Sequence, residues 1–132
     1  MPRGSVLSLV ERGWAGARQC SMDLSGRGIP VHHLVKGRLS RGVRAMIAPV
    51  PHVRLTSVPR PLFRFALWWA VVTETLTGRL RWLIVDHERA LGEVQWWCRL
   101  FGLTPLFIHE FDDRYELSAG GRTVTAADAF GA

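Results

Sequence analysis

Polar residues able to do chemistry stand directly after apolar runs at four places in this sequence. Glu11-Arg12-Gly13-Trp14-Ala15-Gly16 follows "SVLSLV", Lys36-Gly37 follows "IPVHHLV", Asp86-His87-Glu88 follows "LRWLIV", and His109-Glu110 follows "TPLFI". Gly13 and Gly16 let backbone N–H groups come close to a ligand, and a helix start behind them favours an anion. The loop is not G-x-G-x-x-G, and no G-K-[ST] follows to make a P-loop. A tight strand-to-helix turn with close packing accounts for the same glycines. His109-Glu110 is the candidate catalytic pair, because an imidazole at that place can take a proton or polarise a hydroxyl. A strand-end histidine that only hydrogen-bonds backbone is the alternative. Asp86 and His87 are candidate binding groups, though Asp86 also suits a helix N-cap and Glu88 a first helical turn.

Elements must hold these groups in place, and the pattern alternates. Residues 5–10 read as a first strand, 15–28 as a helix stopped by Gly26 and Gly28, and 29–37 as a second strand. A short helix over 40–48 ends before Pro49 and Pro51, and 52–58 is a third strand. Residues 62–78 are too long for an ordinary strand and end at Gly78, which predicts a helix. A fourth strand follows over 80–87, and then the clearest helix over 88–102. Its Leu91, Val94, Trp97, Cys98 and Phe101 share one face, and Gly102 caps it. Residues 104–111 make a fifth strand. This rhythm means βαβ units: an α/β fold with an open, mostly parallel sheet of about five strands and helices on both faces. In the tail, "YEL" and "RTVT" flank a Gly-Gly hairpin turn, and Thr125 with Asp128 predicts the start of a further, truncated helix.

In such a sheet the ligand crevice lies at the carboxyl ends of the strands, where strand order reverses. Arg12, Gly13, Trp14, Gly16, Lys36, Asp86 and His87 fall there and are the candidate binding residues, with His109 and Glu110 at the end of strand five.

Composition narrows the classes further. The 132 residues suit one domain, and 48% hydrophobic content supports a packed core. The net charge is +6, and Lys36 is the single lysine among 17 basic residues. Arg38, Arg41 and Arg44 read as a solvated helix face, and no nucleic-acid-binding signature accompanies them. Cys20 and Cys98 lack Cys or His neighbours at metal-ligand spacing and read as buried, reduced thiols. His32 and His33 point to opposite faces of their strand, so no metal is implied. The opening apolar run is too short for a signal peptide, and Leu62–Val72 is too short to span a bilayer. These features imply a cytoplasmic protein without a cofactor. Trp68-Trp69 and Trp96-Trp97 each place one ring in the core and one at the rim, since helix neighbours diverge by about 100°. Exposed rings on the 62–78 helix would imply a partner surface or peripheral contact with the inner face of the cell membrane, and ordinary core packing is the alternative.

Residues 5–111 resemble the amino-terminal, acceptor-side Rossmann-like domain of the GT-B retaining glycosyltransferases. The likeness rests on Leu24 with Arg27-Gly28-Ile29-Pro30-Val31, then on Phe101-Gly102-Leu103-Thr104-Pro105 and the strand end His109-Glu110. It implies transfer of a sugar from a nucleotide-sugar donor to a glycan or lipid-linked acceptor. It also implies that Gly13–Gly16 form the cleft loop and that His109 lines the sugar site. Trp14 stands where that family has a second small residue. The donor-binding domain with its Glu-x7-Glu element does not follow, so the resemblance implies a separate or missing donor-binding partner and no activity alone. A non-catalytic α/β interaction domain and a flavodoxin-like mononucleotide-binding domain are the alternatives.

Overall fold

The computed structural model describes residues 4–77, 79–112 and 114–131. Five strands alternate with helices along the chain: β1 (Ser5–Leu9), α1 (Trp14–Gly26), β2 (Val31–Lys36), α2 (Arg41–Ile47), β3 (Val53–Val58), α3 (Phe63–Leu76), β4 (Leu80–Val85), α4 (Glu88–Phe101) and β5 (Thr104–Glu110). A hairpin of β6 (Tyr115–Ala119) and β7 (Arg122–Val124) follows, and a short helix α5 (Ala126–Phe130). All strands lie in one sheet of order β3-β2-β1-β4-β5-β6-β7. The first five are parallel and the last two antiparallel.

The expected strand count is therefore corrected from five to seven, because the tail hairpin extends the sheet instead of standing apart. Gly120 and Gly121 both take positive φ, which permits the two-residue turn that folds β7 back on β6. Once Ile108 pairs with Leu117 across β5 and β6, the hairpin inherits the sheet's own ladder.

Strand order reverses between β1 and β4. The connections from β1 run outward to β2 and β3, and α3 then carries the chain back across β1 to β4. Their carboxyl ends diverge there and leave a crevice.

Alternation along the strands feeds two cores. Val6, Val10, Trp82 and Ile84 face α1, α2 and α5, whereas Leu7, Leu9, Leu83 and Val85 face α3 and α4. Because both faces are covered, β1 and β4 are mainly apolar, interrupted inside the strands by the buried Ser8 and the exposed Arg81. Ser40 caps α2 by accepting from Val43 N–H, and Gly102 ends α4 in the left-handed region. Pro61 and its neighbours form a 3₁₀ turn, Arg60–Leu62, that leads into α3. The stop assigned to Gly78 lies outside the described residues.

The tryptophan expectation holds for one helix and fails for the other. On α4, Trp97 is half-buried against the core and Trp96 is exposed. On α3, Phe63, Leu67, Ala70 and Val71 fill the sheet-facing stripe, so Trp68 and Trp69 both point outward. Arg38, Arg41 and Arg44 are exposed, as expected of a solvated face.

Candidate functional site

The crevice at the switch point begins with the loop Glu11–Gly13. Its backbone N–H groups form a concave nest of the kind that binds anions. That nest is already filled. Asp86, at the end of β4, accepts from Glu11, Arg12 and Gly13 N–H at 2.9, 2.8 and 3.2 Å through Oδ2 alone. Its second oxygen, Oδ1, is buried without a partner among the described residues.

Asp86 is thus not the cap of α4. His87 takes that place, in extended backbone, with Nδ1 accepting from Ala90 N–H at 3.1 Å. Because Nδ1 accepts, the ring in this geometry is neutral and carries its proton on Nε2. Nε2 lies 2.9 Å from Glu11 Oε2, a close polar contact not aligned as a hydrogen bond. The other oxygen of Glu11 lies 3.5 Å from Lys36 Nζ, at the end of β2. Lys36 also sits 4.9 Å from the centre of the Phe63 ring. Four predicted binding residues, Arg12, Lys36, Asp86 and His87, therefore meet at one place.

The remaining lining was not singled out from the sequence. The crevice encloses about 720 Å³ and is lined by Leu9, Glu11, Arg12, Lys36, Arg60, Pro61, Phe63, Arg64, Asp86, His87, Arg89, Ala90 and Glu93. Its charged groups are five cations and three carboxylates. Among the described residues no carboxylate pairs with Arg12, Arg60, Arg64 or Arg89. A signal for these arginines was present. The helix after a parallel strand starts at that strand's carboxyl end, so Arg60, Arg64 and Arg89, around the starts of α3 and α4, had to open onto this edge.

Gly13, Trp14 and Gly16 lie behind the crevice. A Cβ on Gly16 would stand 3.4 Å from Glu110 Cβ and Cγ and from Tyr115 Cβ, and one on Gly13 would stand 3.4 Å from Glu110 Oε2. These are ordinary contact distances, so β5 and β6 pack against the start of α1 without a space that only glycine could leave. Trp14 is buried, with its ring centre 5.7 Å from that of His33. It points into the core, not towards a ligand.

His109 and Glu110 are not brought together as a pair. They alternate along β5, so Glu110 lies against the α1 side and His109 on the other face, beside Phe107 at 4.6 Å. Both are registered against β6, His109 opposite Glu116 and Glu110 opposite Tyr115. Neither lines the crevice.

Two further polar clusters belong to the framework. His33 is fully buried, and its Nε2 lies 2.9 Å from Ser21 Oγ. Ser21 spends its single proton on Ala17 O, so His33 must donate from Nε2, and its Nδ1 is left without a partner. Burial, reinforced by His32, lowers the pKa of His33 to about 4. On the opposite face, His32 contacts Thr56, and Arg54 bridges it to Glu74. Burial raises the Cys20 thiol to about 12 and the Cys98 thiol to about 11, so neither is a ready nucleophile at neutral pH. No group of three or more His, Cys, Asp or Glu among the described residues is placed to hold a metal ion.

The chain matches no protein-family model, no curated protein and no solved structure.

Proposed function

We propose that this α/β domain binds a small phosphorylated ligand in the crevice at the carboxyl ends of β1, β2 and β4. The carrying observation is the charge balance of the lining. Among the described residues four arginines have no carboxylate partner, against one unpaired carboxylate, Glu93, while Asp86 is held by three amides and Glu11 is shared between Lys36 and His87. Unpaired guanidinium groups around a cleft favour an oxyanion that offers two oxygens to the planar guanidinium fork, as a phosphate does. The volume suits a nucleotide or sugar phosphate, within the roughly 300–1,000 Å³ range of small-molecule sites.

The test is thermal unfolding of the chain with pyrophosphate, nucleotide sugars and FMN. A ligand of the native state adds about 2.7 kcal/mol of stability at one hundred times its Kd. Stabilisation is expected from at least one of the three and is expected to disappear in Arg12→Ser/Arg89→Ser. No shift with any ligand, or a shift that survives the double substitution, defeats the reading.

The resemblance to GT-B glycosyltransferases gives this site a use: the acceptor-side half of a sugar transferase whose donor-binding half is a separate unit. Of its motifs, Gly13–Gly16 lie behind this crevice and His109-Glu110 stand off it, whereas residues 27–31 and 101–105 fall at the opposite edge of the sheet, where β2 and β5 begin. Since His109 and Glu110 stand off the crevice, acid–base groups in this version come from the partner. Sugar transfer on mixing with a Glu-x7-Glu donor domain is the expected result. Neither association nor transfer would remove this use and leave the phosphate reading standing. Selective stabilisation by FMN would favour the mononucleotide-binding alternative.

A further inference from the structure

Helix α3 has two apolar faces, and only one is used inside the fold. Phe63, Leu67, Ala70 and Val71 enter the core. Phe65, Trp68, Trp69 and Leu76 form a second stripe, spaced for the opposite side of the same helix, and are 66%, 41%, 58% and 79% exposed. Their rings run together, with Phe65 6.1 Å from Trp68 and Trp68 6.4 Å from Trp69 between centres. Helix α4 packs on the same side of the sheet and adds Trp96 and Leu100, both exposed.

The charges beside these rings are mainly cationic. Arg64 precedes Phe65, and Arg99 lies one turn after Trp96, with Glu93 the acid one turn before it. Both arginines are exposed. Glu74, the one acid on α3, is turned to the other side, where it meets His32 and Arg54. The whole chain carries +6.

We infer that the outward face of α3, with Trp96 and Leu100 of α4, docks on a bilayer rich in anionic lipid. Trp is suited to the headgroup level, where its ring is half in hydrocarbon and its N–H stays wet. Aromatics flanked by arginine are the composition of a helix lying in the interface plane. No described helix is long and apolar enough to cross a membrane, so the contact is a resting one. A second copy of the chain fits this face less well. Two-fold pairing would bring the arginines around both stripes together, with Glu93 the one acid beside Trp96 to offset them. The stripe residues do not line the crevice, and of the groups invoked here only Arg64 belongs to both.

The experiment is co-sedimentation of the full chain with phosphatidylcholine vesicles, with and without phosphatidylglycerol. Each arginine near an anionic surface multiplies binding several-fold, so retention at least about tenfold higher on the anionic vesicles is expected. Trp68→Ser/Trp69→Ser is expected to abolish it with an unchanged far-UV spectrum, and Arg99→Glu to weaken it. If that double variant fails to fold, Phe65→Ser/Leu76→Ser interrogates the same stripe. Equal retention on both vesicle types, or full retention by the folded stripe variants, overturns the inference. So does a lipid-free dimer that the stripe variants dissociate, in the absence of vesicle binding.

Discussion

At the scale of single residues, Asp86 decides what the glycine loop can do. Its carboxylate stands where an external anion would sit, and it satisfies three backbone donors at once. Asp86→Ala removes the acceptor and leaves those donors facing a space the size of a carboxylate. The expected cost is about 1–3 kcal/mol in urea unfolding. Part of that loss should return in phosphate at constant ionic strength, because the freed nest can then take the external anion, and the wild type should gain less. A variant that is destabilised but no more phosphate-responsive than wild type would show that the nest collapses when empty. His33 makes a different prediction. Its folded pKa is about 4 against 6.5 for the free group, so the unfolded chain binds a proton that the folded chain refuses. The stability this confers is complete above about pH 6.5 and declines as pH falls towards 4. The full loss amounts to roughly 3 kcal/mol. His33→Gln should flatten the difference between urea unfolding at neutral pH and at pH 4.5, and an unaltered slope would assign the acid sensitivity to other groups.

At the scale of elements, the tail carries more of the fold than its length suggests. Helix α5 has five residues, yet it starts on a complete capping box, Thr125 with Asp128. It ends with Phe130 buried edge-on against Trp82 at 5.2 Å. Arg27 of α1 donates to Gly131 O, and Tyr115 of β6 donates to Asp23 of α1, so helix and hairpin are tied to the same neighbour. Phe130→Ala should therefore cost about 3–5 kcal/mol, and hydrogen exchange should quicken in α5 and β7 before β1 and β4. Uniform loss of protection across the sheet would show instead that the tail and the centre unfold together. The βα rhythm was legible from sequence because each element writes its own period: β1 and β4 as apolar runs, α4 as one face ending at Gly102. The capping box was legible for the same local reason. Sheet membership of the hairpin was not, because it depends on pairing with β5, and no residue of "YELSA" declares that partner. Nor was Asp86 legible as the occupant of the loop, since donor and acceptor lie 75 residues apart at Glu11 and meet only after β1 and β4 pair. The outward turn of Trp68 and Trp69 was hidden too. Their helix is apolar nearly all round, so periodicity alone could not say which stripe the sheet would claim.

At the scale of the whole molecule, charge and packing separate into different places. The two cores that hold the sheet are mainly apolar, with His33 and Ser21 a buried polar exception, while the unpaired arginines gather at the open crevice. Binding and folding should then respond to salt in opposite ways. Attraction of a phosphorylated ligand to exposed guanidinium groups is screened as the Debye length shrinks from about 10 Å at 0.1 M to about 3 Å at 1 M ionic strength. The affinity of pyrophosphate, measured by calorimetry, should fall at least about tenfold over that range, since several unpaired cations act on one ligand. The unfolding midpoint without ligand should hold or rise over the same range, because a net charge of +6 opposes compaction less once it is screened. Screening would also relieve the crowding of like charges at the crevice itself. A ligand affinity indifferent to salt would move binding away from the arginines, to a site recognised by shape and apolar contact. A midpoint that fell together with affinity would mean that the crevice arginines stabilise the fold through pairings with acids, which contradicts the lack of a carboxylate partner for Arg12, Arg60, Arg64 and Arg89 among the described residues.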